Sequence, residues 1–282
     1  MSTDNSEQIA EWNGALGQRW VEMQREIDGV VLPFGAAALE SAAPQAGEKV
    51  LDIGCGCGDT SIALARKVGP AGSVLGVDVS VPMLAVARSR GALEDLANLS
   101  FQDADASAAP LPANRDLLYS RFGVMFFAAP VPAFGHLRRS LRPGGRCVFA
   151  CWRTPRDNSW AMTPLMAARK AMNLTPPPAD PNAPGPFAFA DEDRLRAILS
   201  NAGFADIDIR RFDAPILLGA TPRDAAEGAL RIGPASRLVR DVGVEHLPTI
   251  LAAVEITLAP LAAPDGSVRL DGSTWIVSAA NR

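Results

Sequence analysis

The chain has 282 residues, of which 48% are apolar and 21% charged, and its formal net charge at pH 7 is −4. These values are typical of a globular protein and exclude a disordered or coiled-coil chain. The acidic balance also disfavours nucleic acid or an anionic membrane surface as a partner. The chain contains 23 prolines and 24 glycines, so we expect much of its backbone to be bent or conformationally restricted.

The N-terminus is polar and acidic, and it lacks the basic start and apolar run of a signal peptide. The longest uncharged stretch lies between Arg121 and Arg138. It is too short to span a membrane and contains two prolines, so we expect a cytoplasmic protein without a membrane span. The four cysteines lack CxxC spacing and have no histidine near them in sequence, so we expect buried thiols and no metal.

Residues 7–31 place apolar side chains at steps of three and four, which predicts one helix or, because Gly14 and Gly17 weaken its middle, two short ones. Its acidic residues are expected to form a solvated face: Glu22, Glu26 and Asp28.

From Lys49 onward, short apolar runs alternate with helical patterns. Five strands are predicted, at residues 50–53, 74–79, 99–102, 116–120 and 147–152. Three helices are predicted between them, at residues 60–68, 82–90 and 134–141. This alternation indicates an α/β fold with a doubly wound, mostly parallel sheet.

The rhythm changes after residue 152. Eight prolines interrupt residues 153–190: Pro155, Pro164, Pro176, Pro177, Pro178, Pro181, Pro184 and Pro186. A helix at 191–202 ending at Gly203 and a strand at 204–212 follow. Residues 219–264 form an irregular, partly helical block in this interpretation, and residues 268–279 form a hairpin-like strand pair around Asp271-Gly272.

The most informative stretch is the loop Gly54-Cys55-Gly56-Cys57-Gly58, between the first strand and the following helix. Glycines there permit positive φ and allow a ligand to approach the backbone. A glycine-rich turn at the carboxyl end of the first strand is typical of a nucleotide site. Tight packing alone is the alternative explanation for the same glycines.

Three acids narrow the choice of nucleotide. Asp78 ends the second strand, 20 residues after Gly58, where a carboxylate can accept hydrogen bonds from both ribose hydroxyls. This placement fits NAD and S-adenosylmethionine equally, so the choice depends on the other two acids. Asp52, directly before the loop, would repel the pyrophosphate of a dinucleotide but attract an amino acid's ammonium group. Asp59 stands where the dinucleotide fingerprint requires glycine. The loop therefore favours a cationic ligand over NAD.

In these residues the chain resembles the class I S-adenosylmethionine-dependent methyltransferases, especially the small-molecule, ubiquinone/menaquinone-biosynthesis-like group. Residues 50–58 are similar to the first family motif, with Cys57 where Thr or Ser is commoner, and residues 76–83 to the second. Asp103-Ala104, residues 120–127 and residues 141–145 resemble later motifs. The resemblance covers residues 45–152, with weaker support to residue 212.

The resemblance implies S-adenosylmethionine as cofactor and a seven-stranded Rossmann-like sheet with helical cap and lid insertions. Asp78 would hold the ribose, Val79 and Met83 would pack on adenine, and Asp103 with the Ala104 amide would bind the adenine edge. The complete set implied to bind the cofactor is Asp52, Gly54, Cys55, Gly56, Gly58, Asp78, Val79, Met83, Asp103, Ala104 and Ser120.

The resemblance also suggests how residues 1–282 are organised as a single methyltransferase domain. Residues 1–40 would form an N-terminal helical cap and residues 45–152 the cofactor-binding core. Residues 153–190 and 219–264 would be lid insertions, and residues 191–218 and 265–282 would complete the sheet. The partner would be a small-molecule acceptor, and the oligomeric state stays open, with a homodimer as one alternative.

No catalytic base can be assigned from the sequence. The weak candidates are His246, His136 and Arg121, the last with a surface ion pair as its alternative. Aromatic residues that can line a flat acceptor pocket are Trp12, Trp20, Phe126, Phe127, Trp152 and Trp160, although most are also explained as core residues. We therefore predict methyl transfer to a small apolar or aromatic molecule. The alternatives are an NAD-dependent oxidoreductase and a cofactor-binding protein without transfer activity.

Overall fold

The centre of the fold is a seven-stranded sheet with the strand order β3-β2-β1-β4-β5-β7-β6. The computed structural model describes residues 5–175, 180 and 183–282. The strands are β1 (Lys49–Ile53), β2 (Ser73–Asp78), β3 (Leu99–Asp103), β4 (Arg115–Arg121), β5 (Leu141–Trp152), β6 (Ala205–Gly219) and β7 (Val268–Ala280). The first five pair in parallel and β7 is antiparallel to β5. The predicted mostly parallel α/β sheet is confirmed.

Helices connect the strands. They are α4 (Asp59–Val68), α5 (Val81–Leu93), α6 (Pro130–Arg138), α7 (Ser159–Ala171), α8 (Glu192–Asn201), α9 (Pro222–Arg231), α10 (Pro234–Val242) and α11 (Leu247–Leu258), with short 3-10 turns at Val124–Phe126, Pro155–Asp157, Val244–His246 and Ala259–Leu261. The Asp191 carboxylate caps α8 by accepting a hydrogen bond from the Arg194 amide. After α8 the backbone turns at Gly203, where φ is +89°, as the sequence predicts.

The N-terminal segment forms three helices rather than one or two: α1 (Ser6–Asn13), α2 (Ala15–Glu22) and α3 (Gln24–Ala42). The breaks fall at Gly14 and at Met23, whose φ and ψ of −108° and 19° leave the helical region. The apolar spacing therefore predicts the helical state, and one glycine marks a boundary.

The predicted end of the helix at residue 141 and the predicted start of the fifth strand at residue 147 are both wrong. Helix α6 ends at Arg138 and β5 begins at Leu141, so residues 142–145 do not precede the strand. Residues 142–145 belong to β5 and lie opposite the point where the β4–β5 register shifts, between Arg115 and Leu117. A strand tolerates a Pro-Gly-Gly segment at such an irregularity.

The predicted hairpin around Asp271-Gly272 is also wrong. Strand β7 is continuous over 13 residues. It pairs with β5 from Arg146↔Ala280 to Trp152↔Thr274 and has β6 on its other side. An Asp-Gly turn of the hairpin type requires positive φ, and Gly272 is not among the positive-φ glycines.

The chain divides into two compact units. Unit 1 comprises Met1–Trp152, Asn182–Phe212 and Thr274–Arg282, and unit 2 comprises Arg153–Pro181 and Asp213–Ser273. Unit 2 contains most of both predicted lid insertions. The assignment of residues 1–40, 45–152 and the later segments to cap, core and lid stays a prediction.

Unit 2 is more regular than the sequence suggests. Residues 219–264 form α9, α10 and α11, which pack with α7 around an aliphatic core. In the proline-rich segment, Pro155 begins a 3-10 turn and Pro164 lies within α7. The prediction for Pro176, Pro177, Pro178 and Pro181 lies outside the described residues.

One stretch of the described residues, Val244–Leu261, has the length and hydropathy of a candidate membrane span, with 17% of it buried. It escapes a search for uncharged runs because it contains Glu245 and Glu255. Three of its side chains, Ile250, Val254 and Leu258, are fully buried in the unit 2 core. These three side chains anchor one face of the stretch in that core, and its other residues are half-buried or exposed.

Candidate active site

The carboxyl ends of β1, β2 and β4 meet at one edge of the sheet, within unit 1. The register pairs Ile53 with Val77, so the loop after β1 begins beside the end of β2. The amides of Gly54 and Cys55 both donate to the carbonyl oxygen of Val77, at 2.8 and 3.2 Å. The loop and the acid at the end of β2 are thus fixed against each other by the backbone.

The glycines of this loop have the conformations that the sequence predicts. Gly54, Gly56 and Gly58 have φ values of +68°, +54° and +84°. A Cβ added to Gly54 would lie 2.7 Å from the Cα of Gly123. Such a position excludes other residues both by φ and by space, so the loop is built around glycine.

Asp52 is fully buried directly before the loop. Its Oδ2 accepts hydrogen bonds from the hydroxyls of Thr60 and Ser61, both at 2.6 Å. Its Oδ1 has no hydrogen-bond partner among protein atoms. Burial raises the pKa of this carboxyl from its ordinary value of 3.8 to about 6, although the two hydroxyls oppose the rise. A buried carboxylate oxygen without a partner is costly and suits a cationic ligand.

Asp78 lies where β2 ends. Its Oδ2 accepts a hydrogen bond from the Gly56 amide at 2.8 Å and its Oδ1 accepts one from the Ser80 amide at 2.9 Å. Burial raises its pKa, against the effect of these backbone amides. Each oxygen retains acceptor capacity, because a carboxylate offers about four lone-pair sites. Its carboxylate is therefore oriented and still able to accept hydroxyl donors.

The Ala104 amide, which the resemblance assigns to the adenine ring, has a backbone partner in the sheet. The register pairs Asp78 with Asp103, and the Ala104 amide donates to the carbonyl oxygen of Asp78 at 3.0 Å. This amide is therefore not available to an adenine ring. Asp103 itself is exposed at the end of β3.

A second Asp-Ala pair, Asp105-Ala106, follows immediately beyond the strand and is not among the predicted site residues. Asp105 Oδ1 accepts hydrogen bonds from the Asn5 side-chain amide at 3.0 Å and from the Ser107 backbone at 2.9 Å. An –NH₂ group already bonded to this carboxylate shows that it accepts the type of donor that an adenine amine presents. The repeated dipeptide in the sequence is the signal that could have revealed it.

The other predicted cofactor residues lie close to the loop. The methyl group of Met83 would lie 2.8 Å from a Cβ on Gly56. The Val79 carbonyl accepts a hydrogen bond from the Asn13 side chain at 2.7 Å. The Ser120 hydroxyl is buried, donates to the Ile53 carbonyl at 2.7 Å and accepts from the Gly123 amide. Cys55 is buried, as are the other three cysteines, all free thiols. Their cofactor roles stay predictions.

Arg121 does not form a surface ion pair. Its side chain is 13% exposed and contacts Asp28 at 2.8 Å and Asp59 at 2.9 Å. Burial would lower its pKa, but these carboxylates raise it. The expected solvated role of Asp28 is wrong for the same reason, since a buried arginine requires a counter-charge.

The ring nitrogens of His136 both have partners, and His246 lies far from the glycine loop in sequence. His136 Nε2 lies 2.8 Å from the Ala109 carbonyl oxygen and its Nδ1 lies 3.1 Å from an Arg139 nitrogen. Both ring nitrogens are therefore engaged. His246 lies in unit 2, with a side chain that is 44% exposed, and is 3.9 Å from Glu245. Neither contact identifies a catalytic base.

Aromatic side chains of unit 1 form two groups. Trp12 contacts Trp20 and Phe126 edge to face, at centroid distances of 5.4 and 5.3 Å. Trp152 instead stacks on Phe122 at 4.3 Å within the buried core. Phe127 is buried against Phe134, and Trp160 of unit 2 donates to the Asn158 side chain.

The Trp12 group, which consists of Trp12, Trp20 and Phe126, is tied to the end of β2. The Ser80 hydroxyl donates to the Trp12 carbonyl oxygen at 2.7 Å. The Asn13 side chain also accepts from the Val81 amide at 3.0 Å. Half-buried aromatic rings therefore lie next to the residues that follow Asp78.

Among the described residues, no group of three or more His, Cys, Asp or Glu side chains can hold a metal ion.

Residues 50–145 match the family model described as "Methyltransferase domain". The ubiquinone/menaquinone biosynthesis C-methyltransferase of Pseudomonas aeruginosa is 30% identical over 203 residues, covering 68% of this chain and 73% of that protein. The chain belongs to the class I S-adenosylmethionine-dependent methyltransferases. The demethylmenaquinone methyltransferase of Staphylococcus carnosus is 28% identical, over 67% of this chain and 83% of that protein.

The structure of the YcgJ protein from Bacillus subtilis has the same fold, with a TM-score of 0.58 and 21% identity over 88% of this chain and 97% of that one. Membership of this family makes the protein a methyltransferase with S-adenosylmethionine as cofactor. The glycine loop, the unpartnered Asp52 oxygen and the oriented Asp78 carboxylate fit that cofactor.

Proposed function

We propose that this methyltransferase transfers the methyl group of S-adenosylmethionine to a small, flat, apolar or aromatic acceptor. The observation that carries the proposal is the hydrogen bond from Ser80 to the Trp12 carbonyl. This bond holds half-buried aromatic rings beside the strand end that carries Asp78. Aromatic walls with few polar groups favour flat apolar ligands. The quinone-type names of two relatives agree with such an acceptor.

In this proposal the acids along the edge divide the cofactor between them. Asp52 faces the cationic amino-acid end because one oxygen is buried without a partner. Asp78 accepts the ribose hydroxyls through its remaining lone pairs. Asp105 replaces Asp103 as the acceptor for the adenine amine, with the Ala106 amide beside it. The Ala104 amide has no such role because Asp78 already accepts its hydrogen bond.

Catalysis in this proposal is mainly positioning. When bound, the cofactor supplies an activated methyl group on a sulfonium, so the acceptor needs alignment more than activation. Orientation of two reactants is worth about 7–11 kcal/mol. The chain contributes by holding the cofactor at the sheet edge and the acceptor against the Trp12 group. We assign no general base: both nitrogens of His136 are engaged, Arg121 is paired with two carboxylates, and His246 contacts Glu245.

The cofactor part is tested by calorimetry with S-adenosylmethionine on the wild type, Asp78→Asn and Asp116→Asn. Asp116 is a matched control, since it also accepts hydrogen bonds from a backbone amide and from Arg142, but at the start of β4. We expect Asp78→Asn to weaken binding roughly 10- to 100-fold, because hydrogen bonds to a charged group are worth about 1.5–3 kcal/mol each. Equal binding by all three proteins would contradict the assignment.

The acceptor part is tested with cofactor carrying a deuterated methyl group. Mass spectrometry would follow label transfer to hydroxylated naphthalenes and hydroquinones, with aliphatic amines and RNA as comparison acceptors. We expect transfer to ring compounds, and we expect Trp20→Ala to raise KM for the acceptor with little change in cofactor affinity. Transfer to RNA or to aliphatic amines alone would contradict the proposed acceptor class.

A further inference from the structure

Four charged side chains of unit 1 form a closed ring of ion pairs, which we call the charge ring: Asp28, Asp59, Arg90 and Arg121. Arg121 contacts the two carboxylates at 2.8 and 2.9 Å. Arg90 contacts the same two carboxylates at 3.3 and 3.2 Å. The exposed fractions of the four side chains lie between 13% and 33%, so the ring is largely removed from water. Its four formal charges cancel.

The charge ring joins four elements around the glycine loop. Asp28 comes from α3, Asp59 is the first residue of α4, Arg90 lies on α5 and Arg121 ends β4. Arg90 also donates a hydrogen bond to the carbonyl oxygen of Cys57, inside the loop, at 2.9 Å. The ring therefore connects one of the N-terminal helices directly to the loop backbone.

Stability alone is a poor explanation for this ring. Ion pairs removed from water gain little over apolar side chains of the same volume, whereas removing one partner leaves a costly unpaired charge. Electrostatics offers a better explanation. Arg121 is close enough to Asp52 for its positive charge to oppose the effect of burial on the pKa of that carboxyl. An unbalanced charge in the ring would therefore act on the loop.

We propose that the charge ring positions the glycine loop and neutralises Arg90 and Arg121, so that the loop accepts a cationic cofactor. Asp28 and Asp59 are then positioning residues for cofactor binding. This inference rests on the cofactor site described under the proposed function. It adds residues from α3 and α5, and it gives Asp59 a reason to stand where dinucleotide-binding loops carry glycine.

The charge state of the ligand separates this role from simple loosening of the fold. S-adenosylmethionine carries a positive sulfonium, whereas S-adenosylhomocysteine lacks the transferred methyl group and has an uncharged sulfur; the rest of the two molecules is the same. A loosened loop would bind both ligands less well by the same factor. An unbalanced ring charge changes the affinity for the sulfonium more than the affinity for the thioether, since Coulomb interactions act on net charge.

Calorimetry should therefore compare both ligands on two variants with charge changes of opposite sign. Asp28→Asn leaves the ring with an excess positive charge, and Arg90→Gln leaves it with an excess negative charge. We expect the ratio of S-adenosylmethionine affinity to S-adenosylhomocysteine affinity to fall about three- to tenfold in Asp28→Asn and to rise in Arg90→Gln. Added salt should reduce both changes.

Asp206→Asn is the control, because Asp206 pairs with Arg282 at 2.6 Å on the surface and both side chains are more than half exposed. It should leave the ratio unchanged. Equal losses for both ligands, or ratio changes of the same sign in the two charge variants, would overturn the proposal. If the wild type binds neither ligand, or if Asp78→Asn binds as the wild type does, the cofactor site itself is wrong.

Discussion

The two units of this methyltransferase are stabilised in different ways. The sheet edge of unit 1 contains a buried carboxylate without a full set of partners, three positive-φ glycines and a ring of charges. The core of unit 2 consists of Leu, Ile, Val and Ala side chains. Strain and buried charge cost stability and persist where function requires them. The contrast predicts that ligand binding depends on the destabilising features of unit 1, whereas substitutions in the unit 2 core change stability alone.

The largest effect is expected at the glycine loop. Ala at position 54 would have a φ of +68° and a Cβ only 2.7 Å from the Gly123 Cα. Left-handed backbone costs an alanine about 1–2 kcal/mol and overpacking about 1–3 kcal/mol. Gly54→Ala should therefore lower the free energy of unfolding by the sum of both and abolish cofactor binding. Urea denaturation and calorimetry would measure these changes.

Gly47→Ala is the matched control for Gly54→Ala. Gly47 has a φ of +85° but no heavy atom within 4 Å of an added Cβ. It should lose only the conformational cost of about 1–2 kcal/mol and keep its cofactor affinity. Equal losses in the two variants would mean that the close approach between Gly54 and Gly123 carries no cost, against the account given of the loop.

The next effect concerns the core of unit 2. Leu258 is fully buried on α11, whereas Ile256 on the same helix is 73% exposed. Leu258→Ala should cost about 2–5 kcal/mol, through lost burial and a cavity. Ile256→Ala should stay within about 0.5 kcal/mol of the wild type. Thermal and urea unfolding would measure both.

Cofactor affinity should also be measured for Leu258→Ala and Ile256→Ala. We expect Leu258→Ala to keep the affinity for S-adenosylmethionine within about twofold, so that stability and binding change separately in the two units. A tenfold loss of affinity in Leu258→Ala, measured where the variant is folded, would break the contrast between them.

The sequence predicts the cofactor half of the fold well because its signals are local. A strand, a glycine turn and a helix follow each other within 20 residues, and Asp78 follows the next apolar run. The sequence predicts unit 2 poorly because proline can either interrupt regular structure or begin a helix. Pro222, Pro234 and Pro248 each occupy the first turn of a helix. Proline fits there, since the first helical amides have no partner within the helix.

The parts of the site that the sequence misses depend on long-range geometry. Asp28 and Arg121 pair although 93 residues separate them, and no local pattern links them. The choice between Asp103-Ala104 and Asp105-Ala106 depends on the pairing of β3 with β2. Two identical dipeptides in succession leave that choice open until the register is known.

A smaller effect should follow the titration of Asp52. Burial, against the hydroxyls of Ser61 and Thr60, raises the pKa of this carboxyl from 3.8 to about 6. The folded protein therefore holds the proton more tightly than the unfolded chain. The resulting stability is full below pH 4 and is lost as the pH rises through 6. Between pH 4 and 7, Asp52→Asn should gain roughly 2–3 kcal/mol over the wild type in urea unfolding.

Asp116→Asn is the control for this pH dependence. Hydrogen bonds from Arg142 and from the Lys49 amide, against the effect of burial, lower the pKa of Asp116. Its stabilisation is lost only as the pH falls through that lowered pKa, so the variant should differ from the wild type by a constant amount between pH 5 and 7.

The pH dependence of cofactor binding, measured by calorimetry, tests the same carboxyl of Asp52. Cofactor affinity should fall below pH 6 in the wild type and stay flat in Asp52→Asn. Parallel profiles would contradict the role of Asp52.

The smallest effects distinguish two glycines on α3, one against the charge ring and one on the surface. A Cβ on Gly35 would lie 2.8 Å from the Cδ of Arg121, whereas a Cβ on Gly29 would meet nothing within 4 Å. Gly29→Ala should stabilise the protein by about 0.5–1 kcal/mol, the difference in helix propensity. Gly35→Ala should instead cost about 1–2 kcal/mol, because the Arg121 side chain must move out of its two ion pairs. Thermal unfolding of both variants measures the difference. If Gly35→Ala is as stabilising as Gly29→Ala, the ring is adaptable, and the strict geometry inferred for unit 1 does not extend to α3.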